Sequence, residues 1–216
     1  MRALLLPVKL RANAKQRLAP LLPPADRQAL MSAMIDDGFT AARAARAPER
    51  IFVVTADAPI AALAETFGWT VLRETEQTSE SASVDWASAR CQALGITALL
   101  RLPLDLPAIT GPDIDAVFAA PADVTIVPSR DGTGTNAILR RPPTLFPSHF
   151  GPYSLPKHTE AAHKAGARLS LLPNRNIAMD VDDEADLRAL LAHGPIGTAT
   201  SAWLDTHPAL VRALST

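Results

Sequence analysis

"LRLPLDLPAITGPD", Leu100 to Asp113, is an apolar run that ends in a carboxylate fenced by two prolines. Leu100, Leu102 and Leu104 give it the character of a buried strand. Pro103 and Pro107 close that strand around Asp105, because proline has no N–H to give to a sheet ladder. A strand that ends by presenting an acid fits an open α/β sheet, whose chemistry gathers at the carboxyl ends of its strands. Taken alone, Asp105 has a second reading, as a turn or cap residue leading to a helix near 112.

Outward from this run, similar apolar stretches recur: "ALLLPV" near 3–8, "RIFVVT" at 50–55, "WTVLR" at 69–73 and "DVTIVP" at 123–128. Between them "ADRQALMSAMIDDGFTAARAA" places Leu30, Met34, Phe39 and Ala42 at helical intervals, and "APIAALAETFG" closes on Gly68 as a helix stop. Short apolar strands alternating with helices indicate a doubly wound, mostly parallel sheet covered on both faces. After 128 the rhythm changes. A strand is expected at 136–140, then an irregular stretch suited to a binding lid or loop, a helix at 154–166, strands in "RLSLLP" and "NIAMDV", a helix in "DEADLRALLAH", and a terminal helix broken near Pro208.

The 216 residues, 48% of them hydrophobic, suit one domain spanning 1–216 with a sizeable core. A formal net charge of -1 gives no global field for nucleic acid or an anionic membrane, so an anion must be bound locally. Pro7 and Lys9 cut the first apolar run short of a membrane span or signal-peptide core. The lone Cys91 excludes an internal disulfide and suits a cytoplasmic protein.

Five elements carry candidate chemistry. The first loop, "PVKLRANAKQRLAP", sets Lys9, Arg11, Lys15 and Arg17 between a strand and a helix, a phosphate cradle or a solvated basic loop. It is not a Walker loop, since GxxxxGK[ST] is absent. Asp105 is the second element. In the third, "AMDVDDEADL", strand alternation puts Asp180 and Asp182 on one side, where two carboxylates repel unless a cation lies between them; hard cations such as Mg2+ take such ligands together with phosphates. The alternative is that Asp182 to Asp186 simply cap and charge the next helix, which accounts for Asp183 and Glu184. In the fourth, "DGTGTNAI", the glycines allow backbone N–H groups close to a ligand, and Thr135 and Asn136 offer donors. In the fifth, "HFGPYSLPKH", Gly151 precedes a helix with Ser154 near its N-cap, a seat for a carboxylate or phosphate or simply a cap. His158 and His163 stand five apart and do not share a face as a zinc pair would; Trp69, Trp86 and Trp203 read as packing residues.

In this order, "PVK...AKQRLAP", "LPLDLP", "GTNAI", "FGPYSLPKH" and "MDVDDEADL" resemble the 2-phospho-L-lactate guanylyltransferase family, which includes members that use phosphoenolpyruvate or 3-phospho-D-glycerate. The resemblance spans almost the whole chain. It implies a three-layer α/β/α sandwich of the nucleotide-diphospho-sugar transferase type, transfer of GMP from GTP to a three-carbon phospho-acid with release of pyrophosphate, and a place in coenzyme F420 biosynthesis. It assigns Asp105, Asp180 and Asp182 to Mg2+ or Mn2+, Lys9, Lys15 and Arg17 to phosphates, and Thr135, Gly151 and Ser154 to the acceptor acid. No nucleic acid or membrane partner is implied, and a homodimer stays open. Rival readings are another nucleotidyltransferase, a nucleotide-sugar glycosyltransferase of the same fold, and an inactive GTP-binding protein. One departure stands out: where the family has a Gly-Leu-Asn type loop, this chain reads "ETEQTSESASVDWA". Its Ser79, Ser81 and Ser83 are expected to form a serine-rich loop whose hydroxyls suit a more hydroxylated acceptor such as 3-phosphoglycerate.

Overall fold

The structure, a computed structural model, describes residues 1–9, 15–75 and 78–215. Arg11 of the first loop lies outside the described residues. Seven strands among them form one sheet: β1 (Arg2–Val8), β2 (Arg50–Thr55), β3 (Thr70–Arg73), β4 (Ala98–Arg101), β5 (Val124–Pro128), β6 (Thr135–Arg140) and β7 (Leu169–Leu171). Their order is β3-β2-β1-β4-β6-β5-β7, and β6 alone runs antiparallel to its neighbours. Every strand expected from the sequence is present except one. "NIAMDV" is not a strand, because Ala178 and Met179 donate their N–H groups back to the carbonyls of Asn174 and Asn176 in a turn.

Helices α1 (Pro24–Ala44), α2 (Ala58–Thr66), α3 (Glu80–Ala93), α4 (Gly111–Ala119) and α5 (Ser154–Lys164) cover the sheet. Strand alternation divides the core between two faces. Leu4, Leu6 and Val8 of β1 meet Ile35 and Phe39 of α1, Ile60 of α2 and Ile114 of α4. The intervening Ala3 and Leu5 meet Val84, Ala87 and Cys91 of α3 on the other face, and α5 packs Ala162 beside them against Val124, Ile126 and Ile138. Burial among these side chains pushes the Cys91 thiol up to about 12, so it is a packing residue.

The last helices, α6 (Glu184–Leu191), α7 (Thr198–Asp205) and α8 (Pro208–Leu214), pack with Leu30 and Met34 of α1 around a second core that also takes Met179 and Val181. Asp37 of α1 fixes α7 by accepting from the N–H groups of Ala199 and Thr200, each at 2.9 Å. Among the described residues, no helix is long and apolar enough to cross a membrane.

The strand order reverses between β1 and β4. The chain leaves β1 toward β2 and β3, then returns through α3 to place β4 on the opposite side of β1. Such a reversal opens a crevice at the strand carboxyl ends, since the two connections diverge there. Lys9 follows β1 and Asp105 follows β4 at that rim. Antiparallel β6 brings its starting residues, Thr135 and Asn136, to the same edge.

Candidate active site

A cleft of about 700 Å³ lies over this rim, lined by Arg17, Glu80, Arg101, Asp105, Thr135, Asn136, Phe150, Gly151, Ser154, Asp180 and Asp182, among others. Asp105 comes from the loop after β4, and its carbonyl accepts from the N–H of Val181 at 3.1 Å. That one bond sets Asp180 and Asp182 opposite Asp105. The two acids share the cleft as expected, although an irregular segment rather than a strand carries them.

Lys15 occupies the centre. Its buried ammonium donates to Asp105 at 2.7 Å and to Asp182 at 2.8 Å. Burial opposes this charge, but the two carboxylates outweigh it and hold the lysine pKa above the ordinary value. The backbone at Lys15 is left-handed, with φ 52°, a conformation costly for a residue with a Cβ and often kept at functional sites. Arg17 donates to the other Asp182 oxygen at 2.7 Å. Burial acts to raise the Asp182 pKa, and Lys15 and Arg17 override it, so the pKa lies below the ordinary carboxylate value.

Asp180 differs. Burial, with the charges of Asp105 and Asp182, pushes it up to about 6, while the amide of Asn136, donating at 3.0 Å, opposes the rise. A raised carboxylate pKa makes the folded state favour the proton. The Asp180 charge is therefore a cost to stability that is absent below about pH 4 and grows as pH rises to about 6. In chelator-treated protein, Asp180→Asn should raise the melting temperature at pH 7.5 and leave it almost unchanged near pH 4; an equal effect at both pH values would contradict this environment.

Three partly buried carboxylates, one of them raised by burial and by the charges of the other two, offer hard oxygen ligands in one cleft. That chemistry fits a divalent cation. Among the described residues no three acids, histidines or cysteines stand together ready to hold a metal; Lys15 bridges two of the acids.

Lys9 stands apart from this cluster. Its exposed ammonium pairs with Glu80 at 3.3 Å, and Glu80 also pairs with Arg101. Neither Arg101 nor Glu80 is marked by the sequence pattern. The one signal for Arg101 is a charged residue inside the run "ALLRL". It is buried, donates to the carbonyl of Asn136 at 2.9 Å, and lies over the Phe150 ring at 4.2 Å. Burial lowers its pKa to about 10, against the pull of Asp105 and Asp180, so it remains a cation at neutral pH.

On the far wall stand Thr135, Gly151 and Ser154, together as expected. Ser154 is not the helix cap. Tyr153 holds that position with φ 55°, and the Ser154 hydroxyl instead accepts from the N–H of Thr135 at 2.9 Å. The glycine turn also uses its own N–H groups. Thr133 N–H goes to Asp131 at 2.9 Å and Gly134 N–H to Ser129 at 2.7 Å, so these two donors are used within the turn.

The serine stretch is helical rather than a loop. Ser79 caps α3 by accepting from Ala82 N–H, Ser81 accepts from Phe150 N–H at 2.9 Å, and Ser83 is buried. The Ser79 and Ser81 oxygens thus accept bonds within the fold. The irregular segment before α5 is tied down in return, through Ser81 and through Asp85, which accepts from Ser148 N–H; it delivers Phe150 and Gly151 to the cleft.

The family described as "Guanylyl transferase CofC like" matches residues 1–208. Phosphoenolpyruvate guanylyltransferase of Conexibacter woesei is 36% identical over 190 residues, covering 86% of this chain and 85% of that protein. 3-Phospho-D-glycerate guanylyltransferase of Phenylobacterium zucineum is 31% identical, covering 89% and 90%. 2-Phospho-L-lactate guanylyltransferase of Methanothermobacter thermautotrophicus is 30% identical, covering 88% and 84%. In fold, a protein classed with the nucleotide-diphospho-sugar transferases from Desulfovibrio desulfuricans superposes with a TM-score of 0.81 at 18% identity, over 99% of this chain and 97% of that one. With these matches in agreement over nearly the whole length, the chain belongs to the CofC-like guanylyl transferase family.

Proposed function

We propose that the cleft binds GTP and a three-carbon phospho-acid and joins GMP to the acid's phosphate, releasing pyrophosphate. The observation that carries this reading is the alternation of charge at the rim: Lys15 and Arg17 lie between Asp105, Asp182 and Asp183, the longest of these pairings being 3.6 Å. A polyphosphate and its cation together present the complement of that pattern.

The acceptor's phosphate oxygen attacks the α-phosphorus, and the bond from that phosphorus to the oxygen bridging toward the β-phosphorus breaks. The leaving group is pyrophosphate. A phosphate oxygen is already anionic near neutral pH, so no general base is required, and positioning and charge neutralisation supply the catalysis. Bound Mg2+ or Mn2+, held by Asp105, Asp180 and Asp182, would supply charge neutralisation at the reacting phosphates. Lys15 and Arg17 hold the departing phosphates, with Lys9 at the outer rim. Thr135 and Ser154 donate to the acceptor from the opposite wall, where Gly151 leaves room for it, and Arg101 beneath them adds a fixed positive charge. The product is then the guanylylated acid of coenzyme F420 biosynthesis.

Pyrophosphate release from GTP and Mg2+ tests the reading, with 2-phospho-L-lactate, phosphoenolpyruvate and 3-phospho-D-glycerate offered separately. Release with one acid is expected and names the acceptor. Consumption of a nucleotide sugar without pyrophosphate would identify a glycosyltransferase, and GTP binding with no turnover would identify an inactive binding protein.

A further inference from the structure

His158 is fully buried in α5, one helical turn beyond Ser154, and its two ring nitrogens have different partners. The backbone N–H of His149 donates to Nε2 at 2.8 Å. A nitrogen that accepts carries no hydrogen, so in the neutral ring the proton sits on Nδ1. Nδ1 lies 3.0 Å from the Thr135 hydroxyl oxygen. The reverse arrangement, with Thr135 donating to Nδ1, would set an Nε2 hydrogen against the His149 N–H at that short distance.

The ring is held neutral. Burial, with Arg140, His149, Arg101 and Lys157 around it, pushes its pKa down to about 3. Phe150 packs edge-on at 4.9 Å between ring centroids and Phe146 lies at 6.4 Å, which fixes the imidazole plane. With its oxygen occupied by Nδ1–H, Thr135 keeps its hydroxyl hydrogen for the cleft. Ser154 is treated alike, since its oxygen takes the Thr135 N–H.

We propose that His158 is a positioning residue that, by donating from Nδ1 to the Thr135 oxygen, biases the Thr135 hydroxyl to donate toward the anionic acceptor acid. This rests on the reading of Thr135 and Ser154 as the acceptor's seat. The consequence is selectivity for acceptor charge: a hydroxyl biased to donate favours a carboxylate or phosphate oxygen over a donor group placed there.

The test compares steady-state constants of Thr135→Val, His158→Gln and His158→Asn, using the acid that supports pyrophosphate release. A glutamine amide reaches the place of Nε2 and leaves Thr135 without its donor, whereas an asparagine amide stands near Nδ1 and keeps it. Thr135→Val and His158→Gln should raise KM for the acid about 10- to 100-fold, as loss of a hydrogen bond to a charged group does, with KM for GTP little changed. His158→Asn should restore most of the loss. If Thr135→Val raises the acid KM but the two His158 variants behave alike, or the order reverses, the role of His158 is overturned and the seat stands. If Thr135→Val leaves the acid KM unchanged, the seat itself is overturned, and this proposal with it. In the wild-type protein, 1H–15N spectra of labelled histidine should show His158 as the Nδ1–H tautomer at pH 7; the Nε2–H tautomer would overturn the proposal without any variant.

Discussion

Asp105→Asn should lower turnover by about three orders of magnitude while the protein keeps its fold and melting temperature. Losses of this size follow removal of one charge-stabilising group from a transition state. The fold should survive because the bond that fixes the Asp180–Asp182 segment goes to the Asp105 carbonyl, which asparagine retains. Lys15 also keeps Asp182 as a partner at 2.8 Å. The change removes one of the three acidic charges and nothing of the side chain's shape. Turnover and thermal melting of the same preparation check it, and near-normal activity would refute the assignment of Asp105 to the cation.

Lys15→Met should produce two effects of opposite sign. Turnover should fall about 10²- to 10³-fold, because the ammonium proposed to hold the departing phosphates is lost. Affinity for Mn2+ in the absence of nucleotide should rise, because the cation then meets Asp105 and Asp182 without a competing ammonium already bonded to both at 2.7 and 2.8 Å. A purely structural lysine would not give this combination: its loss would leave the partly buried Asp105 without its partner and lower stability, activity and metal binding together. Mn2+ titration followed by electron paramagnetic resonance, beside the kinetic assay, separates the two.

Much of this arrangement is legible in the amino-acid sequence. The apolar runs that form β1, β2 and β5 are buried on both faces, so their composition carries the signal without alternation. Asp105 can be read because prolines bracket it. The acids at 180 and 182 do share the cleft, but strand alternation is not the reason. Ile177, Met179 and Val181 alternate as a strand would, yet Ile177 enters the first core while Met179 and Val181 enter the second, and the turn between is stapled by Asn174 and Asn176 donating to Asp113. Local periodicity cannot distinguish a strand between two layers from a segment that bridges two cores.

The serine stretch misleads in the opposite direction. Its polar composition suggests a loop, but Ser79 is an N-cap and Ser81 meets a backbone N–H at 150, a contact 69 residues away in sequence. The places of Arg101 and Glu80 in the cleft, and the role of His158 behind it, are hidden for the same reason. Each depends on a partner distant in the chain, and a single sequence records those partners only as unremarkable residues.

What distinguishes this reaction is that the α-phosphoryl group, with its guanosine, moves to the acid. Parallel reactions with GTP labelled at the α- or the γ-phosphorus follow that transfer atom by atom. The α-label should appear in a product containing the acid, while the γ-label leaves as pyrophosphate in equal amount. Appearance of γ-label on the acid, or its release as orthophosphate with GDP, would overturn the reading, because attack would then have occurred at the other end of the triphosphate.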